Sequence, residues 1–204
     1  ALVADVETGN VLAYVGNISE PGHPEFESDV DVITAPRSTG SVLKPFLFSA
    51  MLSEGDILPA TLVPDIPTQI AGYSPENFNK EYDGAVPAKR ALERSLNIPA
   101  VRMLRSYGID KFNYLLKKTG MTTLNQPADH YGLSIILGGS EGTMWDIAGM
   151  YASMARTLNH YRAYDGQYDK NDFHPLQYTD QKKKKQVDLM KRDATGILTA
   201  APIW

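Results

Sequence analysis

Apolar and polar residues alternate at the start of the chain. Leu2-Val3-Ala4-Asp5-Val6 and Val11-Leu12-Ala13-Tyr14-Val15 flank the turn-rich link Glu7-Thr8-Gly9-Asn10, so residues 1–16 are expected to form a β-hairpin. Asp5 is expected as one more alternating strand position. From Gly16 to about Gly40 the pattern lapses into a loop with prolines and acids. The period then changes. Val42-Leu43, Phe46-Leu47 and Ala50-Met51 recur at helical spacing, which predicts a helix opened by Thr39-Gly40-Ser41 and closed by Glu54-Gly55. Pro45 stands early in that helix, where a missing N–H costs least.

Residues 56–87 are rich in Pro, Gly, Asn, Asp and Tyr, which predicts irregular chain holding one short strand. Helical patterns follow from Pro87 to Arg94, from Pro99 to Tyr107, and from Asp110 to Lys118 with Gly120 as the stop. Another runs from Thr143 to Leu158, with Thr143 and Asp146 spaced as a capping box. Before it, Leu137-Gly138-Gly139-Ser140-Glu141-Gly142 reads as a turn leading into that helix. Residues 159–193 change to tyrosines, Asp and Gln and then Lys182 to Lys185, and are expected to be an exposed loop or insertion. Ala194 to Ala201 is expected to be one end of a further helix.

Composition narrows the function classes. The chain has 204 residues, 43% hydrophobic and 22% charged, enough for one good-sized domain or two small ones. A net charge of −4 gives no global basic field for nucleic acid or an anionic membrane. The four lysines at 182–185 lack an aromatic–basic scaffold and read as solvated. With no cysteine, disulfides and thiolate–zinc sites are excluded. His23, His130, His160 and His174 show no metal-ligand spacing. No apolar run approaches the roughly 18 residues that a membrane span needs. The opening residues already read as folded structure and the closing APIW follows a small-residue helical pattern, so both ends are expected to be cut from something longer.

Two short motifs can carry chemistry. Ser41-Val42-Leu43-Lys44 sets a hydroxyl and an amine one helical turn apart on the same face. Serine is a weak nucleophile until a base removes its proton, and a lysine whose pKa is lowered by burial can be that base. A helix start also supplies free N–H groups suited to an oxyanion. Alone, the same four residues describe a surface helix with a solvated lysine. Ser95-Leu96-Asn97 falls between two helical patterns, with Pro99 expected to open the second. In an extended link Ser95 and Asn97 project to the same side, where a hydroxyl can relay a proton and an amide can hold a substrate carbonyl or the lysine. Alone, this reads more readily as a pair of helix caps.

Order and flanks together carry a resemblance. Ser38-Thr39-Gly40-Ser41-Val42-Leu43-Lys44-Pro45-Phe46 resembles the active-site segment of class A penicillin-binding proteins, and Arg94 to Val101 resembles their second motif. Ala1–Gly16, Tyr73 to Phe78 and Tyr131 to Gly139 are similar to connecting segments of the same family, most of all to its 1C-like branch. The resemblance covers about residues 1–158. It implies an α+β penicillin-recognising serine transpeptidase/β-lactamase-like fold, a helical subdomain with an incomplete antiparallel sheet.

It also implies a function. Ser41 is expected to attack the D-Ala-D-Ala carbonyl of peptidoglycan stem peptides, with Lys44 as base, Ser95 as proton shuttle and Asn97 as the substrate-binding amide. β-Lactams are expected to acylate the same serine. No metal or organic cofactor and no nucleic acid is implied. The parent protein is expected to be a membrane-anchored, periplasmic enzyme with an N-terminal glycosyltransferase domain. D,D-carboxypeptidases and β-lactamases share the constellation with water as acceptor, and a non-catalytic β-lactam sensor or cell-wall scaffold is the other alternative. Lys118-Thr119-Gly120 spells the family's third motif but follows a helical pattern, with Gly120 where a left-handed stop belongs. That motif is therefore expected beyond Ala200-Ala201-Pro202-Ile203-Trp204, making residues 1–204 a partial domain that is expected to be poorly competent or inactive by itself.

Overall fold

The computed structural model describes residues 1–18, 28–70, 72–178, 187–191 and 193–198. In chain order the elements are β1 (Leu2–Ala4), β2 (Val11–Tyr14), β3 (Arg37–Ser38), α1 (Lys44–Glu54), β4 (Leu62–Asp65) and β5 (Gly84–Pro87). There follow α2 (Ala88–Glu93), α3 (Asn97–Tyr107), α4 (Ile109–Thr119), α5 (Ala128–Tyr131) and a 3-10 helix at Gly132–Leu137. The chain continues with β6 (Glu141–Gly142), α6 (Met144–Ala163), β7 (Tyr168–Asp169), a 3-10 turn at Lys170–Asp172 and β8 (Leu189–Met190). The residues divide into two units, one of 1–37, 116–125 and 141–204, the other of 38–115 and 126–140.

The second unit is built round α1. Phe46, Leu47, Phe48, Ala50, Met51 and Leu52 are all buried, so this helix is covered over most of its surface and forms the core. Each of the Phe, Leu and Met side chains contributes about 1.5–3 kcal/mol when removed from water. Gly55, at φ = +81°, ends the helix in the left-handed conformation that glycine adopts without a Cβ penalty. Helix α3 packs against α1, and its Ile98, Val101 and Leu104 are each fully buried. The antiparallel ribbon of β4 and β5 pairs Leu62 with Pro87 and Asp65 with Gly84. It lies beside α2 and α3 and brackets the loop 66–83. The 3-10 helix buries Ile135 and Ile136 against α3.

The first unit packs the β1–β2 hairpin on α6. Leu2 pairs with Tyr14 and Val3 with Ala13, and a bulge follows at Ala4. Asp5 is not a strand residue, contrary to the alternation. Its carboxylate accepts from the N–H and the hydroxyl of Thr8 at 2.8 and 2.6 Å and closes the turn. Those bonds hold its carboxyl below the usual carboxylate range. Thr143 caps α6 by accepting from the Asp146 N–H at 3.0 Å. The capping box is not closed, because the Asp146 carboxylate accepts from the N–H and hydroxyl of Thr122 instead.

The stretch expected as an exposed loop is partly packed. Helix α6 runs on to Ala163, and Tyr168, Asp169, Asp172 and Leu176 are buried. Arg156 of α6, itself buried, donates through Nε to the Val6 carbonyl at 2.6 Å and through Nη1 to the Asp172 carbonyl. His160 bridges Asp172 and Glu7. Residues 194–198 are not helical. They wrap the buried Asp193 carboxylate, which accepts from the N–H groups of Thr195, Gly196, Ile197 and Leu198. His23, Lys182 to Lys185 and Thr199 to Trp204 lie outside the described residues.

Candidate active site

The four residues singled out from the sequence lie in the second unit. Helix α1 opens one turn later than expected, at Lys44, so Ser41 sits in the preceding turn. That turn still runs on into the helix, because the Lys44 N–H donates to the Ser41 carbonyl at 3.1 Å. The Val42 N–H likewise reaches the Thr39 carbonyl at 3.2 Å. These amides are therefore used inside the turn and are not the free donors that a helix start at Ser41 implied. Ser41 itself is exposed.

A close backbone approach holds the turn in place. The Ser38 hydroxyl donates to the Gly138 carbonyl at 2.8 Å, and the Thr39 N–H donates to the Ser140 carbonyl at 3.1 Å. A Cβ on Gly138 would stand 2.5 Å from Ser38 Oγ and 2.8 Å from the Gly40 nitrogen. Only glycine fits there, and its φ of +102° is a second reason. This stretch is a C-cap of the 3-10 helix that braces the Ser41 turn.

Lys44 is 4% exposed, and its ammonium ends among three oxygens. Nζ donates to the Ser95 carbonyl at 2.7 Å, to Asn97 Oδ1 at 2.7 Å and to Ser95 Oγ at 3.3 Å. Burial pushes its pKa down from 10.5 to about 8. Among the described residues no hydrogen bond joins Ser41 Oγ to Lys44 Nζ; the lysine's partners are those of the 95–97 segment.

The 95–97 segment reaches the lysine by a route the alternation argument missed. Ser95 has φ = +52°, which is uncommon for a non-glycine residue. Its N–H donates to the Leu92 carbonyl, and the Leu96 N–H donates to the Ala91 carbonyl, both at 2.9 Å. This is the Schellman closure of α2, with a serine in the position that glycine usually fills. The left-handed turn aims both the carbonyl and the hydroxyl of Ser95 at Nζ. Leu96 is extended and Asn97 is the first residue of α3, so Pro99 lies inside the first turn and does not open it. Proline is tolerated there because the first N–H groups of a helix have no partner within it.

Asn97 makes bonds at both ends of its amide. Oδ1 accepts from Lys44, and Nδ2 donates to the Glu76 carbonyl at 2.9 Å. Asn77 was not singled out from the sequence, yet its side-chain oxygen accepts from the Asn97 N–H at 2.9 Å. The signal in the sequence is the similarity of Tyr73 to Phe78 to a connecting segment of the family, which assigns no role to Asn77. A cavity of about 420 Å³ in this unit, lined by Met51, Ile57, Val63, Arg102, Met103 and Arg105 among others, includes none of the four site residues.

Lys118 and Thr119 stand at the C-terminal end of α4, and Gly120 follows at φ = +117°. The Lys118 ammonium donates to the Thr195 carbonyl at 3.3 Å within the first unit. Among the described residues no group of three His, Cys, Asp or Glu side chains is arranged to hold a metal ion.

The family described as "Penicillin binding protein transpeptidase domain" matches residues 1–191. The chain belongs to the penicillin-binding transpeptidase family. It is 37% identical over 155 residues to penicillin-binding protein 1C of Escherichia coli K12, covering 76% of this chain and 20% of that protein. It is 32% identical over 165 residues to a penicillin-binding protein 1A of Neisseria meningitidis, covering 76% of this chain and 19% of the relative. The chain thus spans about a fifth of the length of these relatives. The crystal structure of penicillin-binding protein 1A from Haemophilus influenzae superposes with a TM-score of 0.61 at 27% identity, over 74% of this chain and 22% of that one. The α+β architecture is that of this transpeptidase family, as expected from the sequence. Among the described residues no helix is long and apolar enough to cross a membrane.

Proposed function

We propose that Ser41 is the nucleophile of a peptidoglycan D,D-transpeptidase domain, acylated by D-Ala-D-Ala stem peptides and by β-lactams, with Lys44 as its base. The observation that carries this is the set of three oxygens around Lys44 Nζ, together with membership of the family. An ammonium has three N–H bonds and a neutral amine has two and a lone pair. With a pKa of about 8, roughly a tenth of Lys44 is neutral at pH 7, far more than for an ordinary lysine. The two 2.7 Å bonds hold the neutral amine as donor, and the longest contact, to Ser95 Oγ, is the one it gives up to turn its lone pair to Ser41 Oγ.

In acylation the Ser41 hydroxyl proton passes to the lysine as Oγ attacks the carbonyl carbon. The carbonyl π electrons move to oxygen, where the N–H of Ser41, which neither turn bond uses, is one donor. Collapse breaks the C–N bond, and the proton returns through the Ser95 hydroxyl to the departing D-Ala nitrogen. An acceptor amine then attacks the ester carbonyl and gives a proton to Lys44, and the C–O bond to Ser41 breaks as that proton passes to Ser41 Oγ. Asn97 Oδ1 has a second lone pair beside the one used by Lys44, free to accept from a substrate amide N–H. No metal or organic cofactor takes part in this scheme. The parent protein in this proposal is a membrane-anchored class A enzyme with a glycosyltransferase domain, acting outside the cytoplasmic membrane.

Labelling with a fluorescent penicillin tests it. In the full-length parent protein the wild type is expected to form a covalent adduct that Ser41→Ala abolishes and Lys44→Ala reduces by at least about 10²-fold. An adduct that survives Ser41→Ala removes Ser41 from the role. Turnover of a D-Ala-D-Ala peptide with and without an amine then separates transfer from hydrolysis.

A further inference from the structure

Behind the lysine and its partners stands a second polar layer that the chemistry above does not use. Asn77 is 3% exposed and Asp65 is 1% exposed. Asn77 Oδ1 accepts from the N–H groups of Asn97 and Ile98, at 2.9 and 3.3 Å. Asn77 Nδ2 donates to Asp65 Oδ1 at 2.7 Å and to the Glu81 carbonyl at 2.9 Å. Asp65 Oδ2 accepts from the Asp83 N–H at 3.0 Å. The amide can face only this way. Reversed, its NH2 would meet two N–H donors and its oxygen would meet a carboxylate.

We propose that Asn77 is a positioning residue, which fixes the start of α3 so that Asn97 Oδ1 meets Lys44 Nζ, and that Asp65 sets the direction of the Asn77 amide. The proposal rests on the acyl-enzyme scheme for its effect on rate, but the geometry it invokes is independent of that scheme. The Asn97 N–H is the first backbone donor of α3, and the Asn77 side chain is the acceptor it meets. The neighbouring carbonyl of Glu76 grips Asn97 Nδ2, so residues 76 and 77 hold both the backbone and the side chain of Asn97. The buried Asp65 ends the ribbon strand β4, which ties this loop to the sheet rather than to solvent. An aspartate at 77 would set a second carboxylate against the one at 65, and buried like charges repel strongly.

The test is a swap in the full chain: Asn77→Asp, Asp65→Asn and the double variant. In the double variant the amide and the carboxylate have exchanged places, so one donor–acceptor bond is restored with no added charge. Penicillin acylation is separated into non-covalent affinity and the acylation rate constant, with thermal melting alongside. Asn77→Asp is expected to slow acylation about 30-fold or more with affinity changed less than about 3-fold, because the step depends on geometry at the reacting groups. The double variant is expected to recover to within about 3-fold of wild type. A wild-type rate in Asn77→Asp overturns the proposal. So does a double variant that melts like the wild type yet stays as slow as Asn77→Asp. Acetylation of Lys44 by acetic anhydride across pH, read by mass spectrometry, needs no penicillin. Its midpoint is expected to move up in Asn77→Asp and return in the double variant, and an unmoved midpoint overturns the link from Asn77 to Lys44. If wild type forms no adduct at Ser41, the acyl-enzyme scheme fails while the acetylation readout still decides the role of Asn77.

Discussion

Lys44 Nζ lies 2.7 Å from the main-chain oxygen of Ser95, and Ser95 presents that oxygen from a left-handed turn at φ = +52°. A backbone conformation that costs a non-glycine residue about 1–2 kcal/mol is thus coupled to the one buried ammonium of the site. Strain of this kind at a motif residue is a reason to look for function, and it makes a separable prediction.

Ser95→Gly keeps the backbone turn and its carbonyl but removes the hydroxyl. The account predicts unchanged or slightly raised stability, by up to about 1 kcal/mol, because glycine relieves the strain. Acylation is expected to fall about 10²-fold through loss of the shuttle. Ser95→Ala loses the hydroxyl and keeps the strain, so it should melt below Ser95→Gly while labelling equally slowly. Melting curves and labelling rates on the two variants check this.

The ionisation of Lys44 gives a signed pH dependence. Its pKa is lowered from 10.5 in the unfolded chain to about 8 in the fold. Acylation by a neutral penicillin ester is expected to rise with pH through about 8 and then level off, as the amine becomes neutral. Between 8 and 10.5 the unfolded chain binds more protons at this residue than the folded one. The contribution of Lys44 to stability therefore increases as pH rises through that window and is flat below it. Lys44→Arg, which stays charged, should lose both the acylation and the step in its pH profile.

Much of the arrangement was legible because local signals and long-range contacts agree. The hairpin, the helices near α1, α2, α3, α4 and α6, and the glycine stops at 55 and 120 follow from period and turn chemistry. The Ser41 and Ser95 motifs lie close together because Lys44 joins them, and neither motif states that alone. What escaped was set by partners remote in sequence. Asn97 opens α3 because Asn77, 20 residues away, supplies the acceptor for its N–H. Asp193 organises residues 194–198 into a wrap, where a run of small residues had suggested a helix. Asp5 reads as an alternating position, yet Thr8 draws it into a turn.

Gly138→Ala tests the brace beneath Ser41. The new methyl would press on Ser38 Oγ and on the Gly40 backbone, in a conformation that disfavours any Cβ. Overpacking and left-handed strain together predict a loss of about 2–4 kcal/mol in denaturant unfolding. Penicillin labelling of the fraction still folded should also slow, since the turn carrying Ser41 must shift.

Lys118→Ala tests the reading of Lys118-Thr119-Gly120 as a helix end. The side chain contacts the Thr195 carbonyl and takes no part in the proposed chemistry. Acylation is expected to stay within about 2-fold of wild type, with a stability change below about 1 kcal/mol. A loss of 10²-fold without unfolding would make this lysine a member of the site.

The central claim is that a β-lactam forms its covalent bond at Ser41, and peptide mapping of the penicillin adduct addresses it most directly. Trypsin cleaves after Arg37 and is blocked at Lys44 by Pro45, so the peptide beginning at Ser38 isolates Ser41 from Ser95. The account predicts the full penicillin mass on that peptide, localised to Ser41 by fragmentation and absent from Ser41→Ala. An adduct on Ser95 or on any other residue, in protein whose Ser41 is intact, would contradict it.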